Sequence, residues 1–308
     1  MKTDENDPLI HYLLELVKEL DTDNIPVILG GGMSLYLRLK FMAPRTHRYP
    51  FDVQIRSTAD LDVFLSSRLI ADLKKIEGLK QSLARLGYQV IPEAKNFQFS
   101  KQIEIFGQSR TVKIDLLAAP PDEVDKAKVE IKKPRIKPTG AEGIHAYLTR
   151  EAAGIEIGKQ PVDIERLGAS FKLKNKILFI PSAYNYLILK LHAFDDRKNR
   201  NDNVSNLGRH HAFDLFATVA RMGENDWETA KQHLAAHKSE GYLSKAIKIR
   251  KENFSRLTDL GLLRLRESES YKSNQRIHDA YLDSFMADVL DLFPAHNMPT
   301  ATHLKNSK

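Results

Sequence analysis

The fold is decided by two stretches, IPVILGGGMSLYLRL at residues 25–39 and ADLDVFL at residues 59–65. Residues 25–29 form a short apolar run before a turn, which is typical of a buried strand. Three glycines follow, and a helix is predicted from about Met33 to Phe41. Residues 59–65 alternate between apolar and polar side chains, which predicts a second strand. The order of strand, glycine turn, helix and strand indicates a mixed α+β domain.

The pattern on either side of these stretches divides the chain in two. Helices are predicted from Asp7-Pro8 onward and over 69–86, the latter ending at Gly87. Period-two alternation then predicts strands, with Gly107 in a hairpin turn, at 88–91, 96–100, 102–106 and 111–117. After Pro181 helices dominate, at 182–197, 210–222, 226–237, 242–260 and 275–293. We therefore predict an α+β domain over 1–180 and an all-helical domain over 181–308.

Composition narrows the class of protein. The chain has 308 residues, a formal net charge of +7 and no cysteine. A disulfide framework, a thiolate zinc site and a cysteine nucleophile are thereby excluded. No apolar run reaches the roughly 20 residues that span a bilayer, and the acidic start MKTDENDPLI is unlike a signal peptide. We expect a soluble cytoplasmic protein without a membrane partner, whose mild positive charge favours anionic partners such as nucleotides or nucleic acid.

Asp60 and Asp62 are two residues apart in the predicted strand, so both carboxylates project from one face. Two carboxylates this close repel each other unless a cation lies between them. Mg²⁺ prefers oxygen ligands and is commonly held by one or two carboxylates together with substrate phosphates. A solvated strand end is the alternative interpretation of the motif.

Asp115 is a third candidate carboxylate. It alternates with Ile114 and Leu116 in the run VKIDLL, where an unpaired charge is costly unless it faces solvent or a cation. On a strand beside Asp60 and Asp62 it would complete a two-metal site for in-line phosphoryl displacement. Asp115 could also accept the proton of an attacking hydroxyl. A surface-facing aspartate on a half-buried strand is the alternative.

The glycine turn at residues 30–32 is a candidate phosphate site, because glycines let the backbone approach a phosphate and the helix N-terminus offers free N–H groups. Ser34 could add a hydroxyl, or could simply start the helix. A dinucleotide-binding G-x-G-x-x-G motif is excluded, since it would need glycine where the chain has Leu35. A plain tight turn remains possible.

Several cations and one further aspartate complete the list of candidates. Lys190 and Arg197 share one side of a predicted helix with Tyr186 and could face a triphosphate, or form a solvated basic stripe. Arg56 could steady a phosphate or form a salt bridge with Asp60. Asp214 could pair with Lys190 or Arg197 and hold that cation in place.

Two further features have a less specific meaning. His192, His210 and His211 would need additional acidic or cysteine ligands to form a metal site, and the pattern lacks them. The basic stretch at 126–137 is interpreted first as a solvated strand or loop, and second as a sheet edge that meets a nucleic-acid backbone.

The ordered motifs resemble the DNA polymerase beta-like nucleotidyltransferase superfamily, and more closely the AbiEii/AbiGii toxin-type nucleotidyltransferases. The likeness covers about residues 25–222 and lies in GGMSLYLRL (31–39), RSTADLDVFL (56–65), KIDLL (113–117), KLHAFDDR (190–197) and HAFDLF (211–216). It implies a nucleotidyltransferase fold, a strongly twisted mixed sheet with flanking helices, in which Gly31, Gly32 and Ser34 hold the triphosphate. It also implies that Asp60, Asp62 and Asp115 bind the metals, and it assigns Lys190 and Asp214 to the positions of a helical lysine and a later aspartate.

The sequence departs from the family pattern in one residue and in one interval. Gly32 stands where many members have serine, and the interval to Asp60 is long because of a loop at 44–57.

These observations predict an enzyme that moves a nucleoside monophosphate from an NTP, such as ATP, to a hydroxyl and releases pyrophosphate. Mg²⁺ or Mn²⁺, as two ions, is the expected cofactor. The family likeness suggests the toxin of a toxin–antitoxin or phage-defence module, with a tRNA end as acceptor and an antitoxin protein as partner for helices 226–293. The alternatives are an enzyme that modifies a protein or small-molecule hydroxyl, and a non-catalytic nucleotide- or nucleic-acid-binding module on the same fold.

Overall fold

The computed structural model describes residues 8–42, 48–50, 60–94, 96–105, 108–132, 134–140, 143–200 and 206–295. Within them, ten strands form one mixed sheet. The strands are β1 Val27–Leu29, β2 Asp60–Leu65, β3 Gln89–Val90, β4 Gln98–Ile105, β5 Gln108–Ala118, β6 Val129–Lys132, β7 Arg135–Pro138, β8 Ala146–Leu148, β9 Gln160–Pro161 and β10 Leu178–Ile180.

Helices surround the sheet and then make up the C-terminal region. They are α1 Pro8–Thr22, α2 Gly31–Leu37, α3 Ser67–Ile70, α4 Leu73–Arg85, α5 Ala183–Arg197, α6 Arg209–Ala220, α7 Glu224–His237, α8 Gly241–Asn253, α9 Leu260–Glu267, α10 Glu269–Lys272, α11 Gln275–Asp279 and α12 Leu282–Leu292. A π-helical stretch at Arg38–Met42 continues α2. Short 3₁₀ turns lie at Pro92–Ala94, Lys126–Lys128, Arg150–Ala152, Ile164–Leu167 and Asn206–Gly208.

The sheet has the strand order β6-β7-β8-β5-β2-β1-β10-β9, and β4 pairs with both β3 and β5. β1 is antiparallel to β2 and parallel to β10, whereas β2 is parallel to β5 and β5 is parallel to β8. The central strands therefore run in both directions. The antiparallel pairing of β1 with β2 sets Leu29, the last residue of β1, beside Val63 in β2.

Two large apolar cores and one small one hold the chain together. The first packs α1 and α4 on one sheet face, where alternate residues such as Leu61, Val63 and Ile114 are buried. The second lies among the C-terminal helices α5 to α12. A small cluster that includes Ile28 and Phe64 occupies the other sheet face. Since β-strand side chains alternate, that face is also the one on which Asp60 and Asp62 lie.

The predicted fold class is confirmed: a mixed sheet with flanking helices is followed by a helical region. The division into domains 1–180 and 181–308 stays a prediction. Most of the loop predicted at 44–57, together with Gly107, lies outside the described residues. No helix in the described part of the chain combines the length and the apolar character needed to cross a membrane.

Four predicted element bounds were wrong. The helix predicted over 69–86 is two helices, α3 and α4, because the Asp72 carboxylate accepts hydrogen bonds from the backbone N–H groups of Lys74 and Lys75 and caps the start of α4. The strands predicted at 96–100 and 102–106 are the single strand β4, because alternation continues through Lys101 without a turn. The helix predicted over 242–260 stops at Asn253, where the Asp259 carboxylate accepts hydrogen bonds from the backbone N–H groups of Ser255 and Arg256. The helix predicted over 275–293 is interrupted at Tyr281, whose ring stacks on Tyr49.

Candidate active site

Strand pairing brings the glycine turn and the predicted carboxylates together. Leu29 of β1 pairs with Val63 of β2, and the next backbone N–H, that of Gly30, donates to the carbonyl of Asp62 at 2.7 Å. On the other side of β2, Asp62 is in register with Asp115 of β5. Paired residues on neighbouring strands point to the same face, so the Asp62 and Asp115 carboxylates are lateral neighbours. Asp60, two residues earlier on that face, is exposed.

Gly31 is the point at which the turn touches the carboxylates. Its φ is +54°, and a Cβ placed there would lie only 1.7 Å from Oδ2 of Asp62. Any other L-residue would therefore combine an unfavourable left-handed backbone with a collision against the carboxylate. The glycine is needed because the chain turns directly over Asp62.

Asp115 lies in an environment that disfavours its charge. Partial burial, followed by the neighbouring negative charge of Asp62, raises the pKa of Asp115 to about 6, against a smaller lowering by a hydrogen bond from Gln98. Its Oδ1 is buried and has no hydrogen-bond partner among the described residues. A buried carboxylate oxygen without a partner, beside a second carboxylate, is a group that a cation would stabilise.

Helix α5 connects the turn to the C-terminal region. The Tyr186 hydroxyl donates to the Gly31 carbonyl at 3.0 Å. The Lys190 ammonium, one turn further along, lies 5.0 Å from the centroid of the Tyr186 ring and 2.7 Å from Oδ2 of Asp214. Both members of that ion pair are buried. Lys190 is thus no part of a solvated basic stripe, and of the two partners predicted for Asp214 the structure shows Lys190.

The other predicted phosphate contacts stay predictions. Arg197 lies two turns beyond Lys190 on α5, roughly 10 Å further along the helix axis. Ser34 is fully buried and its hydroxyl has no partner within the described structure, so its contact with a phosphate stays a prediction. Gly32 follows Gly31 in the first turn of α2. Arg56 lies outside the described residues.

The candidate residues suit a hard divalent cation but do not form a complete site alone. Among the described residues, no group of three or more His, Asp or Glu side chains already has a metal-holding arrangement. Mg²⁺ commonly takes only one or two carboxylates and completes its shell with water and substrate phosphates. The paired Asp62 and Asp115, with the unpartnered oxygen of Asp115, fit this mode. The predicted three-carboxylate metal set stays a prediction.

The histidines have structural contacts. Nε2 of His192 lies 2.9 Å from the carbonyl of Tyr242, and burial lowers the pKa of His192. Nε2 of His210 contacts the side chain of Asn206. These contacts connect helices and loops of the C-terminal region.

Three contacts at this site were not predicted from the sequence. Tyr186 was placed on the same helix side as Lys190, but its bond to Gly31 depends on how α5 follows β10, which is parallel to β1. Gln98 contacts Asp115 because β4 pairs with β5 in that register. Lys113 is opposite Asp60 in the β2–β5 pair. Only strand pairing identifies the last two, and the sequence carries no local signal for it.

Comparison with known proteins gives only low similarity to solved structures. No family model and no curated protein matches the chain. The solution structure of the antibiotic-resistance factor ANT(2'')-Ia is 10% identical, covers 75% of this chain and 94% of its own, and superposes with a TM-score of 0.35. The crystal structure of ANT(2'')-Ia in complex with adenylyl-2''-tobramycin is 10% identical, covers 79% and 98%, and has a TM-score of 0.31.

Identity and TM-scores this low assign neither family nor substrate to this chain. The AbiEii/AbiGii-type affiliation stays a prediction.

Proposed function

We propose that the protein is a metal-dependent nucleotidyltransferase that moves a nucleoside monophosphate from an NTP to a hydroxyl acceptor. The observation that carries this proposal is the register of β2 against β5, which sets Asp62 beside Asp115 under the Gly31 turn. Paired carboxylates can bind a cation, and a glycine turn at a helix N-terminus can bind phosphates. The arrangement therefore suits a nucleotide that binds together with a divalent cation.

The proposed reaction is an in-line displacement at the α-phosphorus. The acceptor oxygen forms a bond to that phosphorus while the bond to the bridging oxygen of the β-phosphate breaks, and pyrophosphate leaves. The acceptor proton goes to a carboxylate, for which Asp115 is the candidate. Mg²⁺ held by Asp60, Asp62 and Asp115 would supply neutralisation of the phosphate charge.

The glycine turn and α5 would hold the triphosphate. Gly31 and Gly32 are the candidates for backbone contacts with the phosphates, and Lys190, paired with Asp214, is the candidate cation. Ser34, Arg56 and Arg197 are further candidates for phosphate contacts from the sequence pattern. In this arrangement catalysis consists mostly of positioning and charge neutralisation.

The acceptor we propose is RNA, with a tRNA 3′ end as the specific candidate and a role as the toxin of a toxin–antitoxin pair. The net charge of +7 and the motif likeness support this choice. An antitoxin protein is the proposed partner of the C-terminal helices.

The test is transfer of label from each of the four α-³²P-labelled NTPs to total RNA or purified tRNA in Mg²⁺. We expect Asp62→Asn to abolish transfer and to leave the melting temperature nearly unchanged, because the partly exposed carboxylate lies outside the apolar core. Asp163→Asn is the matched control: it removes the same charge from an exposed position, and transfer should persist. Near-normal turnover in Asp62→Asn would refute the metal role.

A non-catalytic nucleotide- or nucleic-acid-binding module is the second candidate. The presence of all three carboxylates, Asp60, Asp62 and Asp115, argues against it. If no NTP gives transfer to any acceptor, and ligand binding is equal in wild type and in Asp60→Ala/Asp62→Ala, this candidate replaces the enzyme. Label on a protein in place of RNA would identify a protein-modifying enzyme on the same fold.

A further inference from the structure

The sheet carries a row of basic and aromatic side chains on the same face as the candidate carboxylates. Leu117 of β5 is in register with Tyr147 of β8, Tyr147 with Arg135 of β7, and Arg135 with Lys132 of β6. Laterally paired residues share a face, and Asp115 precedes Leu117 by two residues. Asp115, Tyr147, Arg135 and Lys132 therefore project from one side of the sheet.

Burial on the opposite side confirms this assignment of faces. The residues that alternate with the row, Leu116, Ala146 and Ile136, are buried in the first core. The row consequently faces away from that core. The side chain of Lys132 is 71% exposed, and Tyr147 is 39% exposed.

We name the surface formed by Lys132, Arg135, Lys137 and Tyr147 the cationic track. Adjacent strands are about 4.8 Å apart, so its far end lies roughly 14 Å from Asp115, three strands away. Lys137 shares the face because it follows Arg135 by two residues. Between residues 126 and 140 the chain has six Lys or Arg residues and one acidic residue, Glu130, which contacts both Lys132 and Lys137. The antiparallel pair β6 and β7 therefore keeps a clear excess of positive charge.

Tyr147 adds a flat surface to this charge. Its ring lies 5.5 Å from the ring of Phe97, centroid to centroid, and is held beside it at the inner end of the track. An exposed aromatic ring next to cations suits single-stranded nucleic acid, because every base has a face that can stack and every linkage carries a negative charge.

We infer that the cationic track binds the single-stranded end of the RNA acceptor and directs its terminal hydroxyl toward Asp115. The inference rests on the proposed function for the identity of the acceptor. Lys132 and Arg135 contact phosphates, and Tyr147 stacks on a base near the end of the strand. The charge of the track is complementary to a polyanion, and its direction across the sheet leads to the carboxylates.

The track is tested by fluorescence anisotropy with the full-length protein and a short, unstructured, fluorescein-labelled RNA. The association constant K is measured at several salt concentrations. Lys132→Ala/Arg135→Ala should bind about tenfold more weakly, and the slope of log K against log salt should become shallower by about 1.4, for two lost phosphate contacts. Tyr147→Ala should also weaken binding about tenfold but keep the slope, whereas Tyr147→Phe should bind normally.

The control is Lys172→Ala/Lys248→Ala, which also removes two positive charges, from side chains that are 87% and 72% exposed and lie outside the track. An affinity and slope in the track variant equal to those of this control would overturn the inference. Lys132→Ala alone repeats the test at a highly exposed position, should the double variant fold poorly.

The same variants separate this inference from the proposed function. If RNA binding depends on the track while wild type transfers no label from any NTP, the track stands and the enzyme proposal fails. If Asp62→Asn abolishes transfer while the track variant binds RNA like wild type, the enzyme stands and the track fails.

Discussion

At the scale of single residues, Asp115 shows how the site stores an electrostatic cost. Burial and the charge of Asp62 raise the pKa of Asp115 from 3.8 to about 6, so its carboxyl group holds a proton more tightly in the folded protein than in the unfolded chain. A raised carboxyl pKa means that the folded chain binds more protons than the unfolded chain between these two values. The stability of the metal-free protein should therefore fall as pH rises from about 4 through 6, and the penalty should be complete above that range.

Asp115→Asn should remove this penalty. In EDTA, we expect its free energy of unfolding to exceed that of wild type by about 1–2 kcal/mol at pH 8 and to match it near pH 4, allowing for the partial exposure of the group. Urea denaturation at both pH values measures the difference. Asp163→Asn, at an exposed aspartate, should show no such pH dependence. A variant no more stable than wild type at pH 8 would contradict the account.

Gly31 makes the second prediction at this scale. Gly31→Ala should abolish transfer, because the new Cβ would displace the Asp62 carboxylate, and it should also cost about 1–2 kcal/mol of backbone strain. Gly168→Ala is the control: its φ is +80° but a Cβ added there would have nothing within 4 Å, so it carries the strain alone. Equal transfer by the two variants in the labelled-NTP assay would show that Gly31 is not needed at the site.

At the scale of elements, α5 is the part that joins the glycine turn to the helical region. Tyr186 holds the Gly31 carbonyl, and Lys190 beside its ring is fixed by Asp214 of α6. Removing one partner of a buried ion pair is costly, because it leaves the other charge without compensation. The helix therefore presents Tyr186 to the turn in a fixed position.

Tyr186→Phe tests this positioning role. Losing one hydrogen bond to the turn should lower transfer about 2–12-fold, corresponding to 0.5–1.5 kcal/mol, and the retained ring should still contact Lys190. Tyr184→Phe is matched to it: the same helix loses a buried hydroxyl that donates to the Leu292 carbonyl at 2.9 Å, far from the turn. Both variants should lose similar stability, and only Tyr186→Phe should lose activity. A parallel loss of activity in Tyr184→Phe would indicate a general effect on folding.

The elements also show what the sequence can and cannot predict. Alternation identified β2 and the part of β5 that carries Asp115, because in each the apolar residues of one face are buried and the aspartates of the other face are not. The adjacency of Asp62 and Asp115 depends on a parallel pairing between strands more than 40 residues apart, and no local pattern encodes that register. Lys190 was expected to face a phosphate or solvent, and Asp214 to pair with Lys190 or Arg197. The structure shows the pair with Lys190, but its burial depends on how α5 packs on α6, which periodicity within α5 cannot reveal.

At the scale of the whole molecule, the C-terminal helices also hold part of the link between the glycine turn and β2. The described segment 48–50 of that link is anchored there. Arg48 donates to both carboxylate oxygens of Asp288, at 2.6 and 2.9 Å, and the Tyr49 hydroxyl donates to Oδ2 at 2.7 Å. The Tyr49 ring stacks on Tyr281, with centroids 5.0 Å apart. Within the long interval between Gly32 and Asp60, residues 48 and 49 thus contact the helical region.

A double-mutant cycle on Arg48 and Asp288 measures how much this anchor contributes. Asp288 is buried and accepts charge-assisted bonds, so we expect a coupling free energy of about 1.5–3 kcal/mol from Arg48→Ala, Asp288→Ala and the double variant. The exposed pair Lys272–Glu269, at 3.0 Å, is the control and should give less than about 1 kcal/mol. Equal couplings in the two cycles would show that the link is not held by the helical region. A larger coupling for Arg48 and Asp288 would mean that α12 holds residues 48–50 in place.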